Sequence, residues 1–201
     1  MKLKSIRKIK NNSKKYDIQV KSNYNYFANG ILVHNCTMYR DYIHARSVDG
    51  RNHPSRAWVK NLHGKIAHDI PKGWRVCGEN LYAKHTLHYK NLESYFQVFS
   101  IWDDRNLCLS WPETEIWTEL LGLKTVSVLY TGMWDEGQLR DFKIVTYNEE
   151  PCEGYVVRIQ DGFPYRVFKH AVAKCVNKLF QNDLENRHHW MHQQIIPNEV
   201  K

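Results

Sequence analysis

Hydrophobic and polar positions change period several times along the chain, and each change marks an element. In SRAWVKNLHGKIAHDIP (55–71), Trp58, Leu62 and Ile66 recur every fourth position, Ser55 precedes them as a candidate N-cap, and Pro71 stops the pattern. That describes an amphipathic helix. PETEIWTELLG (112–122) opens on proline and closes on glycine, a second helix. In FKHAVAKCVNKLF (168–180), Phe168, Val172, Cys175, Val176 and Leu179 fall on one helical face, which predicts a third. WRVCGENLYA (74–83), SYFQVFSIW (94–102), TVSVLY (125–130) and EGYVVRI (153–159) are short runs rich in β-branched and aromatic residues and read as strands. Strands outnumber the crossovers a parallel sheet needs, so the expectation is an α+β fold: a mostly antiparallel sheet with flanking helices.

The first 35 residues follow a different pattern. After a lysine-rich start, YDIQV (16–20) is a short strand pattern, and YNYFANGILV (24–33) reads as two more with a turn at Asn29-Gly30. Three short strands cannot bury a core, so this segment needs something to pair with. Charge says what. Eight of the 29 lysines and arginines but only one of the 21 acids, Asp17, fall in residues 1–35, making the segment +7 and the other 166 residues +1. The expected partner is acidic, or a nucleic acid.

Composition bounds the rest. A chain of 201 residues, 42% hydrophobic and 25% charged, suits one globular domain with an appendage. It holds no run of eighteen apolar residues, and MKLKSIRKIKNNSKKYD lacks the apolar stretch of a secretory signal, so the protein is read as cytoplasmic with no membrane partner. Cys36, Cys77, Cys108, Cys152 and Cys175 are odd in number and form no C-x-x-C pair, against both a disulfide framework and structural zinc. The last four have apolar neighbours and read as buried thiols.

The first segment ends in His34, Asn35 and Cys36. An asparagine carboxamide can attack its own carbonyl and break the following peptide bond, a neighbouring histidine can move the proton, and a following cysteine is a good acyl acceptor. By itself the tripeptide also suits a structural turn. The whole stretch YDIQVKSNYNYFANGILVHN with Cys36, however, resembles the C-terminal half of a split intein, a β-rich Hint-type segment. The resemblance implies that Asn35 cyclises, His34 assists, Cys36 accepts the acyl group and Asp17 tunes these steps. Tyr24 stands where many members carry a histidine. It also implies a separate polypeptide, the N-terminal half with its own nucleophile, drawn in by opposite charge.

Beyond the seam, Glu79 and Glu153 sit in or beside apolar strands, where each could pair with a buried cation; with Lys169 and Lys174 they suggest instead a magnesium and phosphate site. RVCGENLYAKH, YFQVFSIWDD, EGYVVRI and FKHAVAK resemble, in order, motifs III, IIIa, IV and V of the phage-type ATP-dependent RNA ligases, members of the covalent nucleotidyltransferase superfamily. The similarity covers nearly all of residues 37–201 and implies a nucleotidyltransferase, ATP-grasp-like fold lacking its N-terminal part. It implies that Glu79 holds the ribose of ATP, Phe99 stacks on adenine, Glu153 helps place Mg2+, and Lys169 and Lys174 contact phosphates. Position 167 is Val, so the usual Lys-x-Lys of motif V is absent. At the lysine of the superfamily's Lys-x-Asp-Gly, SVDG (47–50) has Ser47 and IQDG (159–162) has Ile159, neither able to bond AMP. TMYRDYIHARS, which follows the lysine motif in such ligases, begins at Thr37, one residue past the seam. The two resemblances together imply domains 1–35 and 36–201, and a ligase completed by trans-splicing. Such an enzyme joins 5′-phosphate and 3′-hydroxyl RNA ends through lysyl-AMP and RNA-adenylate.

Two other readings fit parts of the sequence. A non-catalytic nucleic-acid-binding module would suit 13% aromatic residues, eleven histidines and the basic arm, although the body is nearly neutral. NRHHWMHQ (186–193) places His188 and His192 at metal-ligand spacing, but no carboxylate stands where a metalloprotease helix needs one.

Overall fold

The computed structural model describes residues 6–8, 16–18, 35–45, 54–84, 87–137, 146–147, 150–151, 154–176 and 194–201. Near the N-terminus, β1 (Ile6–Lys8) and β2 (Tyr16–Ile18) pair antiparallel with Arg7 opposite Asp17. The strands expected over 24–33 lie outside the described residues.

The body is built on a seven-stranded sheet. Its strands are β3 (Asn35–Tyr39), β4 (Ile43–Ala45), β5 (Arg75–Asn80), β6 (Phe96–Trp102), β7 (Leu107–Cys108), β8 (Lys124–Thr125) and β12 (Phe163–Pro164), in the order β12-β7-β6-β5-β3-β4 with β8 beside β6. Every pairing is antiparallel except β6 with β8. β9 (Thr146–Tyr147) pairs with β10 (Glu150–Pro151), and β11 (Gly154–Arg158) with β13 (Val172–Val176). The mixed α+β architecture and its antiparallel sheet are thus as the sequence suggests.

Alternation along β3 and β5 sends Cys36, Met38 and Val76 to one face, where Phe96, Val98 and Ile101 of β6 join them. Helix α1 (Ala57–Ile66) closes this core with Val59 and Ile66, and Leu121 and Leu123 after α2 (Trp111–Leu120) complete it. Burying such a set of aliphatic and aromatic side chains is the main stabilising term of the body. A second, smaller core on the other face gathers Trp102, Cys108, Phe163 and Ala171. Trp102 meets the Phe163 ring edge-on at 5.6 Å.

α2 begins in a full capping box: Ser110 Oγ accepts from Glu113 N–H, and Glu113 Oε2 accepts from Ser110 N–H at 2.9 Å. The Ser110 hydroxyl, which donates to Glu113 Oε2 at 2.6 Å, and then the Ser110 N–H hold the Glu113 carboxyl below its ordinary range. The helix ends at Gly122, whose φ of 65° suits glycine. α1 starts differently from expectation. Ser55 is not its N-cap; it lies buried in a 3-10 turn (Pro54–Arg56), and its carbonyl accepts from Asn80 Nδ2 at 3.4 Å.

Three other expectations are corrected. The helix over 168–180 is only α3 (Phe168–Ala171), followed by β13, because Val172–Val176 finds a β-branched partner strand in β11 and ladder pairing outweighs the helical period. Cys175, expected to be buried, is exposed on that strand. Of TVSVLY only Thr125 belongs to a strand, while Val128, Leu129 and Tyr130 are exposed.

Residues 194–201 return to strap the segment after β5. Asn198, 3% exposed, donates from Nδ2 to Leu81 O at 2.8 Å and accepts at Oδ1 from Tyr89 N–H at 2.9 Å. Its backbone N–H donates to Tyr82 O, and its carbonyl accepts from the Tyr95 hydroxyl at 2.8 Å. Among the described residues no helix is long and apolar enough to cross a membrane.

Candidate functional site

The face of the sheet opposite the main core carries the other half of each alternation. Register pairs Asn35 with Glu79, Thr37 with Cys77 and Tyr39 with Arg75 across β3 and β5, and Gln97 with Glu79 across β5 and β6. Asn35 and Glu79 are thus direct neighbours at one end of this face, and Glu79 is half-buried.

Next to them the ladder breaks. Cys77 pairs with Ser100 but Gly78 with Val98, so Phe99 is left as the extra residue of a β-bulge. The bulge shifts the parity of β6, which lets Val98 and Ile101 both reach the main core although they are three apart. It also re-aims Phe99, the one residue of β6 that is not fully buried. Gly78 faces the bulge and has to be glycine: a Cβ there would stand 2.7 Å from Gln97 O and run into the Phe96 ring.

The bulge is held from β11. Arg158 Nη1 donates to Phe99 O at 3.3 Å and Nη2 to Leu109 O at 2.8 Å. Its guanidinium lies 5.6 Å from the Trp111 and Phe163 rings. A planar fork with donors on separate nitrogens spans two carbonyls in a fixed geometry that the single nitrogen of an ammonium does not reproduce. Val156, two residues before Arg158, pairs with Lys174, so both side chains share a face of the β11–β13 ribbon with Arg158.

Asn35 and Cys36 open β3. Asn35 Oδ1 is buried and accepts no hydrogen bond, an uncompensated cost for a polar oxygen. Cys36 is 2% exposed, and burial pushes its thiol up to about 11, partly offset by the Arg56 charge. In this conformation it is a protonated core residue, not a nucleophile.

Glu79 and Phe99 therefore stand on neighbouring strands close to Asn35. Lys169 is exposed on α3 and Lys174 exposed on β13, so the two lysines belong to different elements and not to one helix. Glu153, just before β11, lies outside the described residues, as do His34, Ser47, His188 and His192; of Asp17 only the backbone in β2 is described. No group of three or more His, Cys, Asp or Glu gathers among the described residues. Sequence reading missed Arg158, Gly78 and Asn198. Only Gly78 left a signal, as a lone glycine inside an apolar strand.

A family model, RNA ligase, matches residues 29–176, a span that includes Asn35, Glu79, Phe99, Glu153, Lys169 and Lys174. No curated protein and no solved structure matches the chain. On the strength of that match, which takes in every strand from β3 to β13, the chain belongs to the RNA ligase family.

Proposed function

We propose that this chain is one half of an RNA ligase made in two pieces: residues 1–35 a C-terminal split-intein segment, residues 36–201 the C-terminal part of the enzyme. The observation that carries the reading is the pairing of Asn35 with Glu79. Whatever chain is joined to the amino group of Cys36 enters β3 beside Glu79, next to the Phe99 bulge. A Lys-x-Asp-Gly segment arriving there on the partner polypeptide brings its lysine to the nucleotide end of the sheet. The family match supports the ligase part, and the order His34-Asn35-Cys36 supports the splicing part.

In the splicing step the Cys36 thiolate attacks the acyl group that the partner half has moved onto its own nucleophile, forms a thioester, and expels that nucleophile. The Asn35 carboxamide nitrogen then attacks its own backbone carbonyl while His34 protonates the leaving Cys36 amine, which releases residues 1–35 with a succinimide end. The freed amine displaces sulfur and leaves an ordinary peptide bond.

ATP and Mg2+ suit the donor set. The re-aimed Phe99 ring offers a face for adenine, Glu79 an acceptor for ribose hydroxyls, and Lys169 and Lys174 exposed cations for phosphate oxygens. Mg2+ usually takes one or two carboxylates and fills its shell with water and phosphate, a demand that Glu153 would meet. Bound ATP supplies the adenylyl group that activates the 5′-phosphate. The residues named here position it and balance its charge.

The test mixes the chain with an acidic N-terminal half ending in a Lys-x-Asp-Gly segment and follows masses. The chain should lose residues 1–35 and gain the partner's extein, and Asn35→Ala should abolish release of the 35-residue piece. Alone with ATP and Mg2+, the chain should take up no covalent AMP. An intact 35/36 bond with RNA affinity confined to the basic arm would favour the binding-module reading instead.

A further inference from the structure

The face that carries Asn35 and Glu79 continues outward to a feature without a role in the chemistry above. Thr37 pairs with His44 across β3 and β4, so Tyr39 and His44 lie on the Glu79 side of the sheet, away from the main core. The turn between these strands, closed by Tyr39 N–H to Tyr42 O at 2.8 Å, folds Tyr42 over them. Tyr39 and Tyr42 stack with centroids 4.5 Å apart and planes 13° apart, and His44 adds a third near-parallel ring at 6.0 and 6.1 Å. The set is anchored: His44 Nδ1 bonds to Ala45 O at 2.6 Å, and Arg40 ties the turn to Ile70 O and His68 O at 2.8 Å each. Yet Tyr42 is 51% exposed.

We infer that the Tyr39–Tyr42–His44 ring stack is a platform on which an unpaired base of the RNA substrate stacks, set along the same sheet face as Glu79. Three observations favour RNA as the occupant. The chain belongs to a family of RNA-joining enzymes. The platform lies four residues along β3 from Asn35, about 13 Å at ~3.3 Å per residue, a reach of about four stacked bases at ~3.4 Å each from the site. Arg40 in the turn and Arg75, which pairs with Tyr39 across β3 and β5, set two cations beside the rings against the single acid of the turn, Asp41. Single-stranded RNA is held by aromatic rings that take the face of any base and by cations that follow its backbone. The inference rests on the ligase reading and is independent of splicing.

The test uses the whole chain and a short single-stranded RNA with 2-aminopurine next to its 3′ end, at about 0.2 M salt to suppress the basic arm. Binding should quench the probe. Tyr42→Ala should remove most of the quenching and weaken affinity about tenfold, and Tyr42→Trp should restore both. A fully paired duplex carrying the probe internally should bind without Tyr42-dependent quenching. Unchanged affinity and quenching in Tyr42→Ala would overturn the proposal, and so would displacement of the probe from Tyr42 by ATP alone, which would make the stack a nucleotide site. Failure to splice, with Tyr42-dependent quenching intact, would count against the split-intein reading only.

Discussion

Adding one methyl group at position 78 would set a side chain against the Phe96 ring and Gln97 O at the point where β5 meets the bulge. Neither neighbour can withdraw, since the ring belongs to the main core and the oxygen to the strand backbone. Gly78→Ala should therefore cost about 2 kcal/mol or more, seen as a lower urea midpoint with an unchanged slope. Arg158→Met should cost a similar ~2 kcal/mol by stranding the Phe99 and Leu109 carbonyls, and Arg158→Lys should recover little of it. Glu79 and Phe99 could be found in the sequence because they sit inside recognisable motifs. Arg158 lies in such a motif too, EGYVVRI, but its task is not legible there, because what defines it is a pair of backbone oxygens, those of Phe99 and Leu109, contributed by other elements.

β3 is the element on which the chemistry of the seam depends. Once it is docked, Cys36 is buried with its thiol near 11 and is a poor acyl acceptor, so the proposed splicing would require β3 to be free of the sheet. Iodoacetamide should modify the exposed Cys175 readily and Cys36 slowly in the folded chain, with urea below the unfolding midpoint speeding Cys36 selectively; peptide mass mapping reads both. Elements of strong pattern were legible: α1, β5, β6 and β11 fall within the segments that residue pattern marks, and α2 starts one residue before the segment that its proline and glycine bound. β3 was hidden by its hydrophilic sequence, since only Cys36 and Met38 of NCTMY face the core. β13 was misread because valines and alanines at 171–176 fit both a helical face and a strand, and the choice is made by β11, 14 to 22 residues upstream.

For the whole molecule, pH and topology decide stability. Burial raises both Cys36 and Cys108 to about 11 from an ordinary 9.0. A folded pKa above the unfolded one means that stability is complete below about pH 9 and is lost as pH climbs toward 11, by up to about 2–3 kcal/mol for each thiol. The urea midpoint should fall between about pH 8 and pH 10.5, and Cys36→Ala should flatten part of that fall. Asn198 joins distant parts of the chain through hydrogen bonds on both its side chain and its backbone, so Asn198→Ala should lower stability by about 2 kcal/mol and hasten amide exchange at Leu81 and Tyr89. The carbonyl that Asn198 Nδ2 reaches, that of Leu81, was made 117 positions earlier. On the ribosome, the loop that follows Glu79 consequently emerges long before the segment that fastens it, and the nascent protein carries that loop unfastened while the next 117 positions are made.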